Sequence, residues 1–400
     1  MSIKTNFTYT INACYTASIT QAAITNFLPL LFLTLQKEYG VTFEELSLLV
    51  SANFFVQLLT DLAAAKFVDK IGYRVCVVSA HVLCALGMIG LAFFPNIFPT
   101  PFIGLLFAVV LYAIGGGLLE VLTSPIVEAC PSEKKAAAMS VLHSFYCWGT
   151  VFVIVASTVY FSVFGIENWR ILACVWAALP LANSVFFSLV PINKIVEDEH
   201  KMSIKDLFKN KLFWVLCLLM MCSGASELSM SQWASAFAES GLGVSKAIGD
   251  LAGPCAFAVL MGLSRLLYGK FSHKIKLNTF MLVSSILCVI SYMLASLSSN
   301  AVLSLIGCAL CGLSVGIMWP GSLSMGAKAL PTGGTALFAL LALSGDVGCS
   351  IGPAAVGFIS DKLGGDLKKG ILLAIIFPIV LIFGIFICLK TWKRSGEEIR

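Results

Sequence analysis

The chain has 400 residues, of which 58% are hydrophobic and only 12% are charged, and its formal net charge is +5. A soluble globular protein carries about 25% charged residues, so a chain this apolar has too little polar surface to cover a soluble fold of this length. The small and dispersed positive charge also argues against nucleic-acid binding.

Apolar runs long enough to cross a bilayer recur along the whole chain. A helix needs about 20 apolar residues to cross ~30 Å of hydrocarbon, and this criterion predicts twelve transmembrane spans. The connections between the spans are short, so consecutive helices are expected to pack as neighbours that meet at Gly and Ala residues. We therefore predict an all-α membrane protein of two six-helix bundles. The predicted spans are 12–35, 46–65, 75–95, 102–127, 136–161, 171–190, 212–236, 248–269, 277–297, 301–325, 334–358 and 371–389.

The one long polar run, 190–211, falls at the midpoint of the chain. It predicts an N-terminal bundle at 1–190, a linker loop at 191–211 and a C-terminal bundle at 212–400. With both termini in the cytoplasm, 19 Lys and Arg residues fall inside and 6 outside, so the excess of inside cations favours this orientation and a cytoplasmic linker. We expect a multi-pass protein of the plasma or inner membrane, and the acidic cluster 197–200 is interpreted as solvated linker and not as a metal site.

The two halves of the chain repeat each other. The stretch from Asp61 to Arg74 after span 2 aligns with the stretch from Arg265 to Lys276 after span 8, at an offset of 204 residues. Internal repeats of this kind are typical of transporters, in which solute sites lie near the membrane midplane.

The loop after span 2 resembles the signature loop of the major facilitator superfamily, Gly-x-x-x-Asp-Arg/Lys-x-Gly-Arg/Lys-Arg/Lys. The matching residues are Asp69, Lys70, Gly72 and Arg74, whereas Ala65 and Tyr73 depart from the pattern. The resemblance implies the fold of that superfamily, with twelve helices in two pseudo-symmetric bundles. It also implies that Asp61, Asp69, Lys70, Gly72 and Arg74 form a gating network, although basic residues that only fix the orientation are the alternative.

A narrower resemblance is to the fucose-permease type of sugar/proton symporter. That group carries an intramembrane Glu before Asn-Pro in span 4, a His-x-x-Tyr-x-x-Gly run in span 5 and a Gly-x-x-Glu…Trp run in span 7. The corresponding residues here are Glu120 with Ser124 and Pro125, His143 with Tyr146, and Glu227 with Trp233. The acidic residue of that group in span 1 has no match, because Asn26 is the nearest polar residue there.

Ionisable residues inside the predicted spans are costly in a bilayer and point to function. Glu120 in span 4 and Asp346 in span 11 are the two candidates for protonation, because a buried carboxyl can take up and release a proton. A permanent hydrogen bond to a neighbouring helix is the alternative for each. Pro125, one turn beyond Glu120, has no N–H group and so leaves a backbone carbonyl of the preceding turn unpaired.

Three further residues have two interpretations each. Glu227 is a candidate for binding either solute hydroxyls or an extracellular gate partner. Trp233 either shares that site or belongs to the interfacial aromatic belt. Arg265 either snorkels to the membrane surface or pairs with Glu120. Uncharged donors, acceptors and rings that suit a polyhydroxylated solute are Asn26, Asn53, Gln57, His143, Tyr146 and Trp319.

These features predict a secondary transporter that takes up a small polar solute, such as a sugar, together with protons. Export of drugs or amphipathic metabolites by proton antiport is the alternative. The sequence has no metal-ligand cluster, Gly-rich phosphate loop or nucleophile–base set, so an enzyme, a metal site and a cofactor are not expected. The expected partners are the solute, protons and the lipid bilayer, without nucleic acid, and a monomer suffices for this architecture.

Overall fold

The computed structural model describes residues 3–131, 135–193, 204–271 and 275–394. Within these residues the regular structure is helical, and twelve helices are long and apolar enough to cross a membrane. The predicted fold class is thereby confirmed. The chain divides into two compact units, Met1–Glu197 (unit 1) and Asp198–Arg400 (unit 2).

Unit 1 contains spans 1 to 6. Its span 1 is interrupted by a 3-10 turn at Leu28–Leu31, where Pro29 interrupts the helical ladder. The helices are Phe7–Asn26 and Phe32–Tyr39 (span 1), Phe43–Ile71 (span 2), Tyr73–Phe93 (span 3), Pro101–Ala129 (span 4), Lys135–Phe164 (span 5) and Trp169–Leu189 (span 6).

Unit 2 contains spans 7 to 12, preceded by the short helix Ile204–Lys209. Two of its spans include π-helical turns, at Phe237–Gly241 and Leu251–Cys255. The helices are Lys211–Ser231 and Ala234–Ala236 (span 7), Lys246–Asp250 and Ala256–Phe271 (span 8), Leu277–Leu297 (span 9), Ala301–Val315 and Met318–Ala329 (span 10), Gly334–Lys362 (span 11), and Leu367–Leu373 and Ile376–Arg394 (span 12).

The predicted linker is described only at its two ends. Its first residues are held by unit 1, because Thr10 Oγ1 donates to the Pro191 carbonyl at 2.6 Å and Asn193 Nδ2 donates to the Ala129 carbonyl at 3.0 Å. Residues 194–203, which include the acidic cluster 197–200, lie outside the described residues. The extent and solvation of the linker therefore stay a prediction.

Span boundaries follow from local capping chemistry. Thr42 and Glu45 form a reciprocal capping box at the start of span 2, with N–H···O distances of 3.1 and 2.9 Å, which satisfies two otherwise unpaired backbone N–H groups. The same helix ends at Gly72, whose φ of +97° is a conformation that favours glycine.

Glycines set the closest helix contacts, as the sequence predicts. Spans 7 and 11 approach so closely that a Cβ on Gly348 would lie 1.9 Å from the Met221 carbonyl oxygen. A Cβ on Gly224 would lie 2.4 Å from the Gly345 carbonyl oxygen. Small residues at such contacts let backbones meet, and dispersion then stabilises the pair of helices in a medium where the hydrophobic effect contributes little.

A buried polar cluster ties spans 1, 3 and 6 of unit 1 together. Asn183 Nδ2 lies 3.0 Å from the Ala13 carbonyl and 2.8 Å from His81 Nε2, and His81 Nδ1 lies 2.7 Å from the Val77 carbonyl. These distances fit a His81 tautomer that donates from Nδ1 and accepts at Nε2. No sequence motif singles out His81 or Asn183.

Candidate functional site

A polar stripe runs along span 2 of unit 1. Asn53, Gln57 and Asp61 recur every four residues, so they share one face of the helix. Asn53 and Gln57 are buried, and Gln57 Nε2 donates to Asn53 Oδ1 at 3.4 Å. Amides with remaining hydrogen-bonding capacity are thus held inside an apolar bundle.

The glycines of span 4 let this stripe lie against the helix backbone. A Cβ on Gly116 would lie 2.8 Å from Gln57 Nε2 and 3.0 Å from Gln21 Oε1, the latter a buried oxygen for which the described residues provide no hydrogen-bond partner. A Cβ on Gly117 would lie 3.0 Å from Asp61 Oδ1. Polar groups of spans 1 and 2 therefore converge on span 4 one turn before Glu120.

Asp61 and Glu120 form a carboxyl pair. Their carboxyl groups are close enough to interact electrostatically. Asp61 Oδ1 is buried, with no hydrogen-bond partner among the described residues, whereas the Glu120 side chain is accessible. Like charges at short range repel, so a proton bound by the pair relieves the repulsion. Asp61, which the sequence analysis grouped with the loop network, lies beside Glu120.

Asn26 links two helices of unit 1. Its Nδ2 donates to the Ala22 carbonyl at 2.9 Å and to Thr150 Oγ1 in span 5 at 3.2 Å. Thr150 in turn donates to the Tyr146 carbonyl at 3.1 Å, and Tyr146 itself is half-buried. The side chain of His143 is outside the described part of the structure.

The signature-like loop is attached to the end of span 6. Arg74 Nη1 donates to the carbonyls of Phe187 and Ser188 at 2.7 and 2.9 Å, where the last turn of a helix leaves acceptors unpaired and carries partial negative charge. Lys70 is exposed. The side chain of Asp69 and residues 273 and 274 of the second repeat lie outside the described residues. A gating role for the loop stays a prediction.

In unit 2 the position 204 residues beyond Asp61 is occupied by Arg265. Its Nε donates to the Gly316 carbonyl at 3.1 Å, at the break between the two helices of span 10. The Arg265 guanidinium also interacts electrostatically with the Glu227 carboxyl of span 7. The side chain therefore reaches toward the middle of span 10, and the two predicted roles of Arg265, snorkelling and pairing with Glu120, stay predictions.

Three other predicted residues lie around span 11. Asp346 is buried, and the adjacent Gly345 accommodates the ring of Trp319, whose Cη2 would be 2.3 Å from a Cβ at that position. Trp233 is fully buried, and its Nε1 donates to the Pro353 carbonyl at 3.0 Å. The interfacial-belt alternative for Trp233 is therefore wrong, because its ring packs inside the bundle.

A charged cluster that was not predicted from the sequence joins spans 7 and 8 beside their π-helical turns. Asp250 is fully buried, its Oδ2 lies 3.1 Å from Lys246 Nζ, and it accepts a hydrogen bond from Ser235. The i,i+4 spacing of Lys246 and Asp250 was the available signal. Lys246 falls between the predicted spans 7 and 8, so its pairing with a residue inside span 8 was not predicted.

No metal-binding arrangement of three or more His, Cys, Asp or Glu side chains occurs in the described part of the chain. Cys308 and Cys311, which have CxxC spacing in the sequence, are buried, and Cys311 Sγ lies 4.0 Å from Cys288 Sγ. These cysteines pack between helices of unit 2.

Comparisons with known proteins give one sequence family and several similar folds. The family model described as Major Facilitator Superfamily matches residues 13–353. No curated protein sequence matches the chain.

Among solved structures, a bacterial homologue of the human lysosomal transporter Spinster, in an inward-facing and occupied conformation, aligns with a TM-score of 0.77 at 15% identity, covering 97% of both chains. A D-xylose–proton symporter aligns with a TM-score of 0.77 at 11% identity, covering 96% of this chain and 97% of the symporter. At these identities the similarity concerns the fold.

Proposed function

The chain belongs to the major facilitator superfamily and is a multi-pass secondary transporter, and we propose that it couples the uptake of a small polar solute, of the sugar type, to the movement of protons. Transport proceeds by alternating access, in which the solute site opens to one side of the membrane at a time.

The observation that carries this proposal is the Asp61–Glu120 pair inside unit 1. Two interacting carboxyls in a bilayer-spanning segment are costly and typical of proton relays. Glu120 is exposed at the surface of unit 1, and the neighbouring Asp61 carboxyl makes the doubly ionised pair unfavourable. The pair therefore carries one proton in one state of the cycle and releases it in the other.

The polar class of the solute is supported by the amides beside this pair. Gln21, Asn53 and Gln57 present oxygen and nitrogen atoms that match sugar hydroxyls, and Gln21 Oε1 lacks a partner among the described residues. Buried polar groups of this kind bind ligands that pair with them and reject ligands that cannot. The D-xylose–proton symporter shares only its fold with this chain, so the choice of a sugar-type solute depends on these side chains.

Proteoliposomes that enclose a pH-sensitive dye test the proposal. Purified protein is first screened for binding to sugars, sugar acids and nucleosides by thermal shift, and each solute that binds is then added outside the vesicles. The proposal predicts acidification of the lumen that depends on the solute and on Glu120. Alkalinisation of the lumen indicates antiport instead, and transport of a bound solute without any proton movement contradicts proton coupling.

A further inference from the structure

A short helix and the first turn of span 7 form one corner of unit 2, residues 204–214, which we call the span 7 corner. Leu207, in the helix Ile204–Lys209, is fully buried and anchors that helix to the unit. The Asn210 N–H donates to the Leu207 carbonyl at 3.0 Å, and Asn210 Oδ1 accepts from the Leu212 N–H at 2.9 Å. One residue thus ends the short helix and caps span 7, so the corner is held at the end of a helix that can span a membrane.

Two aromatic rings of the span 7 corner pack on each other and remain exposed. The Phe208 and Trp214 rings are stacked with their centroids 5.5 Å apart, and Trp214 Nε1 donates to the Phe208 carbonyl at 2.9 Å. Although these contacts satisfy the one polar group of the indole, Trp214 is still 55% exposed and Phe208 is 44% exposed. Exposed aromatic rings at the end of a span are typical of the boundary between hydrocarbon and lipid headgroups.

The short helix has a basic face and an apolar flank. Successive residues of a helix are turned by about 100°, so Lys205 and Lys209 lie on the side opposite the buried Leu207. Ile204 and Phe208, which are both exposed, lie together on the flank between these two sides. A helix with this pattern is suited to the plane of a bilayer surface, with apolar side chains toward the acyl chains and cations at the level of the headgroups.

Lys211 adds a cation at a position where it does not stabilise the helix. It is the first residue of span 7, and the first turn of that helix contains no acidic residue. Because a helix N-terminus carries partial positive charge, a cation there is unfavourable. The span 7 corner contains three lysines and one carboxylate, a net charge of +2. That carboxylate, Asp206, pairs with Lys209 at 3.4 Å between two exposed side chains, a contact that neutralises little of the charge.

We propose that the span 7 corner binds an anionic phospholipid of the phosphatidylglycerol class. The exposed ammonium groups of its three lysines attract the phosphodiester, and the acyl chains lie against the exposed rings of Phe208 and Trp214. The positive charge favours an anion, and the exposed rings favour an anion that carries hydrocarbon, because a free phosphate would leave both rings uncovered. The site lies on the surface of unit 2 that faces lipid, so it needs no cavity, and it is independent of the proposed solute and of proton coupling.

Native mass spectrometry of the full-length protein in detergent tests this site. The protein is titrated with phosphatidylglycerol or with phosphatidylcholine of the same acyl chains, because the two lipids differ in headgroup charge. The first phosphatidylglycerol should bind at least ~10-fold more tightly than the first phosphatidylcholine, since each lysine near an anionic headgroup contributes about fivefold in affinity. The triple variant Lys205→Gln/Lys209→Gln/Lys211→Gln, which changes only exposed side chains, should lose this preference.

The matched control is Lys276→Gln/Lys328→Gln/Lys390→Gln, which removes the same charge from exposed positions elsewhere in unit 2 and should keep the preference. Equal loss in the two triple variants would show a general attraction of the charged protein for anionic lipid and would overturn the site.

Two further outcomes would also overturn the site. One is an unchanged preference for phosphatidylglycerol in the triple variant of the span 7 corner, which would mean that its lysines serve only to orient the chain in the membrane. The other is displacement of bound phosphatidylglycerol by an equal concentration of glycerophosphoglycerol, the same headgroup without acyl chains, because the rings would then contribute nothing to binding.

Discussion

Asp61 and Glu120 interact across spans 2 and 4 of unit 1, and Asp61 Oδ1 packs against span 4 at Gly117, where a Cβ would lie 3.0 Å away. The side-chain-free surface of Gly117 lets the two helices bring these carboxyls together. In unit 2 the repeat-equivalent position carries Arg265, which bonds to span 10 at Gly316. The two halves thus keep an ionisable residue at the same place in the repeat and give it opposite charge.

The close contact of spans 7 and 11 predicts that one added methyl group strongly destabilises the protein. Gly348→Ala places a Cβ 1.9 Å from the Met221 carbonyl oxygen, so the helices must separate. We expect a loss of about 2 kcal/mol or more in the free energy of unfolding, as for overpacked cores. Gly249→Ala is the control, since its nearest neighbour would be Ala238 Cβ at 3.2 Å. Equal thermal stability of the two variants in detergent would contradict this packing.

The polar cluster of spans 1, 3 and 6 predicts a stability effect without a transport effect. Asn183→Leu keeps a similar volume but leaves the Ala13 carbonyl and His81 Nε2 without their donor. Buried acceptors left unpaired cost about 1–3 kcal/mol. Thermal unfolding should show this loss, while the exposed Asn12→Leu variant should unfold like wild type. A normal melting temperature for Asn183→Leu would show that the cluster contributes nothing.

Arg74 predicts a local effect at the end of span 6. Arg74→Gln removes the donor to the Phe187 and Ser188 carbonyls, so the last helical turn should open more readily. Hydrogen–deuterium exchange of the peptide that covers this turn should become faster, by about 10-fold for the loss of roughly 1.5 kcal/mol of hydrogen bonding to a charged group. The exposed Lys70→Gln variant is the control. Unchanged hydrogen–deuterium exchange in Arg74→Gln would show that Arg74 does not stabilise the last turn of span 6.

The buried charge of Asp250 predicts that the stability of the protein depends strongly on Lys246. Lys246→Gln leaves Asp250 buried beside Ser235 without the ammonium group at 3.1 Å. Breaking one half of a buried ion pair costs about 3–5 kcal/mol. The double variant Lys246→Gln/Asp250→Asn should recover most of that stability, because no uncompensated charge remains. The test is to compare the thermal stability of the single and double variants. A double variant as unstable as the single one would refute the pairing.

The fold was predictable because span length, cation placement and the loop signature are local properties of the sequence. Glu120 and Asp346 were also recognisable, since a charge in an apolar run stands out by itself. The partners were not: Asp61 lies two turns before the loop that the signature covers, and only the approach of spans 2 and 4 at Gly117 brings it to Glu120. The depth of Arg265 was judged from its Cα, which left both snorkelling and pairing with Glu120 open, whereas its side chain bonds to the Gly316 carbonyl.

Solute-driven proton movement in proteoliposomes of the Glu120→Gln and Asp61→Asn variants tests the central claim most directly. If the carboxyl pair carries the proton, both variants lose lumen acidification on addition of a solute that binds, yet continue to exchange that radiolabelled solute across the membrane. Glu167→Gln, which neutralises an exposed carboxyl of the same unit, keeps wild-type acidification. Full solute-driven acidification in both Glu120→Gln and Asp61→Asn would contradict the account.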